Sequence, residues 1–442
     1  MRNSGYVVEG VEMKILVNAF AFSPIRGSEC AVGWNMVNEL AKMHNVTVLF
    51  GDVWQHRISF AEMVEHVSKN KGQIEVWHGH SLFRVNGFRA IYIEPSTVIG
   101  IITRLHKIPG FWMLYYVAYR LWQKRAFKAA KELLKESGFD VVHQLNMIGY
   151  REPGYMWKLG VPFFWGPVGG APNEPLPYLR LFSLRGRFFV LIRTVLNEVE
   201  KRLNLRARAA ARKARKVWAV TDADYRMIRE LWGVECEKMV ETGTVLRRER
   251  ITRSWDGSST LQMVWSGLHV PRKALPILLC ALARVKAARR NLNVRVEVLG
   301  DGPETAAWKK LAIKMGVGDF LRWHGRLTHD KALAVMNSSH VLVFTSLKEG
   351  TPHVVLEALS LGLPVICHDA CGMGTVVDET CGIKVPLKNP RLSVDEFARA
   401  IESILSKPHR VEELSKGAVR KSDGSTWEIL ARKISEEYEN AQ

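Results

Sequence analysis

Long apolar runs are missing from this chain. No stretch approaches the roughly 18 uncharged residues of a membrane-spanning helix, and the run Ile108–Tyr119 stops at Arg120. The N-terminus lacks the apolar core of a secretory signal. Cysteine is scarce, with 6 in 442 residues. That is too few for a disulfide scaffold, and a cytoplasmic protein is expected. Acidic residues are in deficit, 44 against 63 Lys and Arg, leaving a formal charge of +19. Low-complexity tracts and short tandem repeats are also absent. What remains is an ordinary globular mix, 47% hydrophobic and 24% charged. Its length suits two domains of about 200 residues each.

The positive charge is concentrated. Arg180–Lys216 holds twelve Lys and Arg against Glu198 and Glu200, a surplus of +10 in 37 residues. Such a field attracts phosphates, on lipid headgroups, polyprenyl diphosphates or nucleic acid. Leu181, Phe182, Phe188, Phe189, Leu191 and Ile192 lie within it and suggest an apolar anchor at the inner face of the cytoplasmic membrane. Arg120, Lys124, Lys128, Lys131 and Lys135 form a second basic stripe, on a stretch that also carries Trp112, Tyr115, Tyr116, Tyr119 and Trp122. A surface helix with no membrane role has the same look.

Short apolar runs alternate with helix-length amphipathic stretches, the pattern of parallel α/β architecture. Strands are expected at 14–20, 46–50, 74–77, 141–145, 162–165 and 217–220, then at 262–266, 294–299, 321–324, 341–345 and 364–367. Met13 reads as a natural start, with 1–12 a loose, disordered extension. The polar segment Arg247–Thr260 reads as a linker. The expected fold class is α/β, with two tandem Rossmann-like doubly wound domains, 13–246 and 261–442, facing an interdomain cleft.

The sharpest chemical signal is Phe344–Pro364, FTSLKEGTPHVVLEALSLGLP. A strand gives way to a loop with Glu349 and Gly350, and a helix starts near Pro352. Glu357 follows eight residues after Glu349. One carboxylate can meet a sugar while the other accepts hydroxyls further along the ligand. Trp265–Leu275, WSGLHVPRKAL, and Leu299–Glu304, LGDGPE, each link a strand to a helix. Gly27–Trp34, GSECAVGW, does the same in the first half and does not fit Gly-x-Gly-x-x-Gly, so a dehydrogenase reading is poor.

These segments resemble glycosyltransferase family 4, retaining group 1 enzymes of the GT-B fold. The resemblance is strong from about 261 to 390 and scattered before that. It implies that Glu349 contacts the donor sugar and Glu357 the nucleotide ribose, with Gly350, Thr351 and Pro352 lining the pocket. Gly267 and Lys273 would grip the donor diphosphate, helped by Arg272, because the family's arginine position is Leu268 here. Gly300, Asp301 and Gly302 would floor the nucleotide site, with Trp323, His324 and Gly325 beside the base. Gly27, Ser28 and Glu29 would form the first-domain loop. His143, in DVVHQLN, matches a family histidine facing the cleft, and a second family histidine is replaced by Leu145. Gly166–Gly170 could present backbone amides. On this resemblance Glu349, Lys273 and His143 are the catalytic candidates.

The implied activity is retaining transfer of a sugar from a nucleotide diphosphate sugar to an acceptor hydroxyl, in cell-surface polysaccharide or glycolipid synthesis. It implies no cofactor and no obligatory metal. The acceptor would be lipid-linked or a polysaccharide, with peripheral association at an anionic membrane. A sugar-nucleotide epimerase of the same fold, an inactive nucleotide-sugar-binding relative and a nucleic-acid-binding protein remain as alternatives. The last lacks any recognised reading motif, and no nucleic-acid partner is expected. Cys367, His368, Asp369, Cys371 and Cys381 cluster in sequence but match no standard zinc spacing.

Overall fold

The computed structural model describes residues 11–52, 58–85, 87–106, 108, 111, 113–245, 251–289 and 291–441. Nearly all of the expected extension and residues 247–250 of the expected linker lie outside them.

The first sheet contains β1 (Lys14–Ala19), β2 (Asn45–Phe50), β3 (Gln73–Trp77), β4 (His80–Val85), β5 (Phe88–Tyr92), β6 (Val141–Asn146), β7 (Phe163–Val168), β8 (Lys216–Ala219) and β9 (Glu237–Lys238). Their order is β3-β4-β5-β2-β1-β6-β7-β8-β9. Helices on both faces bury β1, β2, β6 and β7 almost completely, which explains their unbroken apolar sequences. The sheet is not wholly parallel as expected. β4 runs antiparallel to β3 and β5. Only His78 and Gly79 separate β3 from β4, too short for a crossover, and both have positive φ.

The second sheet is all parallel and follows the doubly wound order. It comprises β10 (Leu261–Ser266), β11 (Val294–Leu299), β12 (Leu321–Gly325), β13 (Val341–Phe344), β14 (Val365–His368) and β15 (Gly382–Val385), ordered β12-β11-β10-β13-β14-β15. Its order reverses between β10 and β13, and that of the first sheet between β1 and β6.

Two expected boundaries move. The described part of the linker is packed against the second domain. Buried Arg253 donates to the Asn337 and Leu361 carbonyls, and Trp255 joins that core. The second domain also does not run to 442. The helix Trp427–Glu439 crosses back and packs with Val17, Val37 and Val141. The reason is its apolar face, Trp427, Leu430, Ala431, Ile434 and Tyr438, which covers the first sheet. In return, the first-domain turn Leu176–Leu181 crosses to the second core, where Tyr178 Oη lies 2.6 Å from Ser393 Oγ.

The returning helix also corrects the expectation for His143. This residue is 0% exposed and faces away from the cleft. Its Nδ1 lies 2.5 Å from Tyr438 Oη and its Nε2 lies 2.8 Å from the Gly166 carbonyl. With both nitrogens engaged, it is a core residue and not a catalytic one. Burial drives its pKa from 6.5 to about 4, so the folded chain keeps it neutral. That contribution to stability is present above pH 6.5 and is lost as pH falls toward 4. Tyr438→Phe leaves a buried ring nitrogen unpaired and should cost about 1–3 kcal/mol in a denaturant titration. A variant as stable as the parent would show that the latch contributes nothing.

Candidate active site in the interdomain cleft

The carboxyl ends of both sheets converge on one cavity of about 320 Å3. Ile148, Gly169, Gly170, Thr221 and Asp224 line it from the first domain, and Arg272, Lys348, Glu349 and Gly350 from the second. The Gly166–Gly170 turn therefore reaches the cleft at its last two residues.

Glu349 lies in the loop after β13, and three donors converge on its Oε1. Lys273 Nζ is 2.6 Å away, Arg272 2.8 Å and Ser346 Oγ 2.5 Å. The Lys273 and Glu349 side chains are only 11% and 12% exposed. Burial pushes the Glu349 carboxyl up, but Lys273 and Arg272 outweigh it and hold its pKa below the usual value. Burial lowers the Lys273 pKa, and Glu349 opposes that shift. Lys273 lies just before the following helix. It closes a tight turn, Ala274 adopts φ 49°, and the helix begins at Leu275.

Glu357 sits one helix along, 28% exposed, with Oε1 2.8 Å from His329 Nε2. Pro352 precedes the helix His353–Ser360. Gly267 packs beside the Lys273 stem, and a Cβ on Gly300 would lie 2.1 Å from the Gly267 carbonyl. Only glycine lets these two loops touch. Asp301 is exposed beside them. Leu268 is 57% exposed, so the family's arginine position faces solvent rather than the core. His324 pairs with Glu297 at one edge of the sheet.

Across the cleft, Gly27 and Ser28 are exposed and Glu29 opens the helix Glu29–Leu40. Asn146 ties this loop down, accepting from the Ala21 amide and donating to the Ala21 and Glu29 carbonyls. Burial and the neighbouring Glu241 carboxylate raise the Glu29 pKa from 4.5 to about 7. Burial likewise lifts Asp224 to about 6, against bonds from Thr221 and the Ala171 amide.

Four contributors had no role in the sequence reading. Asn146 clamps the first loop. Glu174 faces two cations, Lys348 at 3.6 Å and Arg193 at 3.5 Å. Asp224 lines the cavity. Glu241 reaches across to the amide of Thr351. Single residues scattered over separate elements carry no spacing signal that would have found them. In the cysteine-bearing segment, His368 is buried with its nitrogens near the Ser346 carbonyl and Ser393 Oγ. Among the described residues no three potential metal ligands converge.

Residues 259–421 match the family described as glycosyl transferases group 1. The second domain belongs to the group 1 glycosyl transferases. The D-inositol 3-phosphate glycosyltransferase of Streptomyces bingchenggensis is 29% identical over 186 residues, covering 40% of this chain and 40% of that protein. The chain thus spans well under two thirds of the curated relative's length. Solved structures match nearly end to end. The lipopolysaccharide outer core galactosyltransferase WaaB has a TM-score of 0.63 at 15% identity, over 96% of this chain and 99% of that one. Anabaena HepE in complex with UDP-glucose has 0.57 at 13% identity, over 96% and 99%. These likenesses show the fold, which is GT-B. Within it, the group 1 domain supplies Glu349, Glu357 and Lys273.

The Glu29 shift has a consequence for stability. The carboxyl is protonated in both folded and unfolded chains below pH 4.5, and only the unfolded chain ionises freely up to about 7. Stability is therefore lost as pH rises across that window. Glu29→Gln should melt higher than the parent at about pH 8 and close to it at about pH 4. Parallel melting curves for both proteins across that range would contradict the assignment.

Proposed function

We propose that this protein transfers a sugar, with retained anomeric configuration, from a nucleotide diphosphate sugar to an acceptor hydroxyl. The observation that carries this reading is Glu349, held at the cleft by Lys273 and Arg272 in the group 1 domain. In this reading the two cations meet the departing diphosphate, whose negative charge develops as the glycosidic bond breaks. Glu349 orients the sugar, and Glu357 accepts from the ribose. Nucleoside-diphosphate charge is met by side chains and backbone amides, with no metal required. HepE has been captured with UDP-glucose, which makes that compound the first donor to try.

Glu357→Ala should weaken UDP binding by about 1.5–3 kcal/mol in a calorimetric titration, the worth of a charged hydrogen-bond acceptor. Glu349→Gln should behave differently. It releases Lys273 and Arg272 from their carboxylate, so UDP should bind as well as before or tighter. Turnover of UDP-glucose should fall about a hundredfold. Unchanged binding in the first variant and unchanged turnover in the second would remove the donor-site assignment.

The acceptor reading is a lipid-linked or growing surface polysaccharide at the cytoplasmic membrane face. Among the described residues no helix is long and apolar enough to cross a membrane, so attachment would be peripheral. The helix Leu184–Leu203 supports this. Leu184, Phe188, Val195 and Leu203 are 79%, 68%, 62% and 70% exposed along one apolar stripe, beside exposed Arg185. Leu181 and Phe182 are not part of it, because they pack on the second domain. Nor are Arg206 and Arg208 free surface charges. Arg206 pairs with Glu152, and Arg208 donates to the Leu231 carbonyl. The triple change Leu184→Ser, Phe188→Ser and Val195→Ser should therefore abolish co-sedimentation with phosphatidylglycerol vesicles at low salt while leaving the fold intact. Equal sedimentation of parent and variant, or none by the parent, would point to a soluble acceptor.

A further inference from the structure

Glu241 follows β9 in the first domain, and its side chain is buried, 6% exposed. Its Oε1 accepts from the Thr351 amide at 2.5 Å, in the second domain. A Cβ on Gly350 would lie 2.2 Å from that same oxygen, so the glycine leaves the space that the carboxylate occupies. The neighbouring residue crosses as well: Thr242 Oγ1 lies 3.3 Å from His353 Nε2. The loop carrying Glu349 is thus met from the first domain at two consecutive residues.

The other end of that loop is already secured. Ser346 Oγ donates to Glu349, and the Ser346 carbonyl faces His368, whose far nitrogen meets Ser393 and, through it, Tyr178 of the first domain. Gly350 and Thr351 have no comparable support from their own domain among the described hydrogen bonds. Their cross-cleft partner is unusual for a purely structural role. Glu241 Oε2 is buried without a hydrogen-bond partner, and so is Oε2 of the nearby Glu29. Burying unsatisfied carboxyl oxygens is unfavourable, and a smaller apolar residue at 241 would avoid it. What such a residue would forfeit is the acceptor for Thr351.

We propose that Glu241 is a positioning residue of the opposite domain: by accepting from the Thr351 amide it holds the Glu349–Thr351 loop in its sugar-facing form. It acts through the loop and needs no contact with the reacting atoms. The role rests on the glycosyl-transfer reading above, but the loop contact itself does not. Because the acceptor oxygen matters, glutamine can replace glutamate and alanine cannot.

The test compares the full-length parent with Glu241→Ala and Glu241→Gln. Hydrogen exchange of peptides spanning residues 346–353 is followed without ligand, and UDP-glucose turnover and UDP affinity are measured beside it. In Glu241→Ala the Thr351 amide should exchange roughly tenfold faster. The kcat should drop about a hundredfold, while the Kd for UDP stays within about threefold, because the diphosphate and ribose contacts are untouched. Glu241→Gln should match the parent in all three. Unchanged exchange in Glu241→Ala overturns the inference whatever the substrate. So does faster exchange with kcat preserved. If the alanine variant does not fold, loss of loop protection in Glu241→Gln alone overturns it, since the accepting oxygen is still there. If the parent binds neither UDP nor UDP-glucose, the donor reading fails, and exchange alone decides the loop contact.

Discussion

A lysine and a glutamate, both nearly sealed from water and 2.6 Å apart, set the form of the cleft. Each ion alone would cost several kcal/mol to bury and would shed its charge instead. Together, with Arg272 and Ser346 on the same oxygen, each offsets part of the other's burial cost. The arrangement requires the loops after β10 and β13 to be neighbours. That is the point where the order of the second sheet reverses, so the topology that makes the domain also makes the site. The close approach of the Gly267 and Gly300 loops follows from the same geometry.

The two domains are joined by exchange as well as contact. The last helix leaves the second domain to cover the first sheet, and Leu176–Leu181 leaves the first to enter the second core. Each crossing buries an aromatic hydroxyl on a partner: Tyr438 on His143 and Tyr178 on Ser393. The second of these leads back to the cleft, through Ser393 and His368 to Ser346 beside Glu349. Glu241 and Thr242 add a third junction at the loop itself.

The charge distribution acquires a different meaning in three dimensions. Much of the basic stretch Arg180–Lys216 is internally matched. Arg193 faces Glu174 at the cavity, Lys201 and Arg202 meet Glu198, and Arg206 meets Glu152. The surplus that still reaches solvent sits beside an apolar stripe on the same helix. A net charge counted along the chain measures the field far from the protein; the near field depends on which carboxylates fold back onto it.

Local pattern was enough for most of the strands, the doubly wound second domain and the Glu349–Glu357 spacing. Strand burial, turn chemistry and helix starts are local properties, and a loop with its helix is contiguous in the chain. The strand expected at 74–77 is β3, but β4 and β5 escaped because Arg84 and Arg89 interrupt their short apolar runs. The role of His143 also escaped: its surroundings depend on Tyr438, 295 residues away, and a helix whose destination no local pattern encodes. The same holds for Glu241, Asn146 and Glu174. Each is a single polar residue whose partner comes from a distant part of the chain. The order of residues along the chain was enough for the two-domain α/β architecture. Only the tertiary structure decided which side chains meet across the cleft and which stay in the core, because burial and hydrogen-bond partners are set by contacts between segments far apart in the chain.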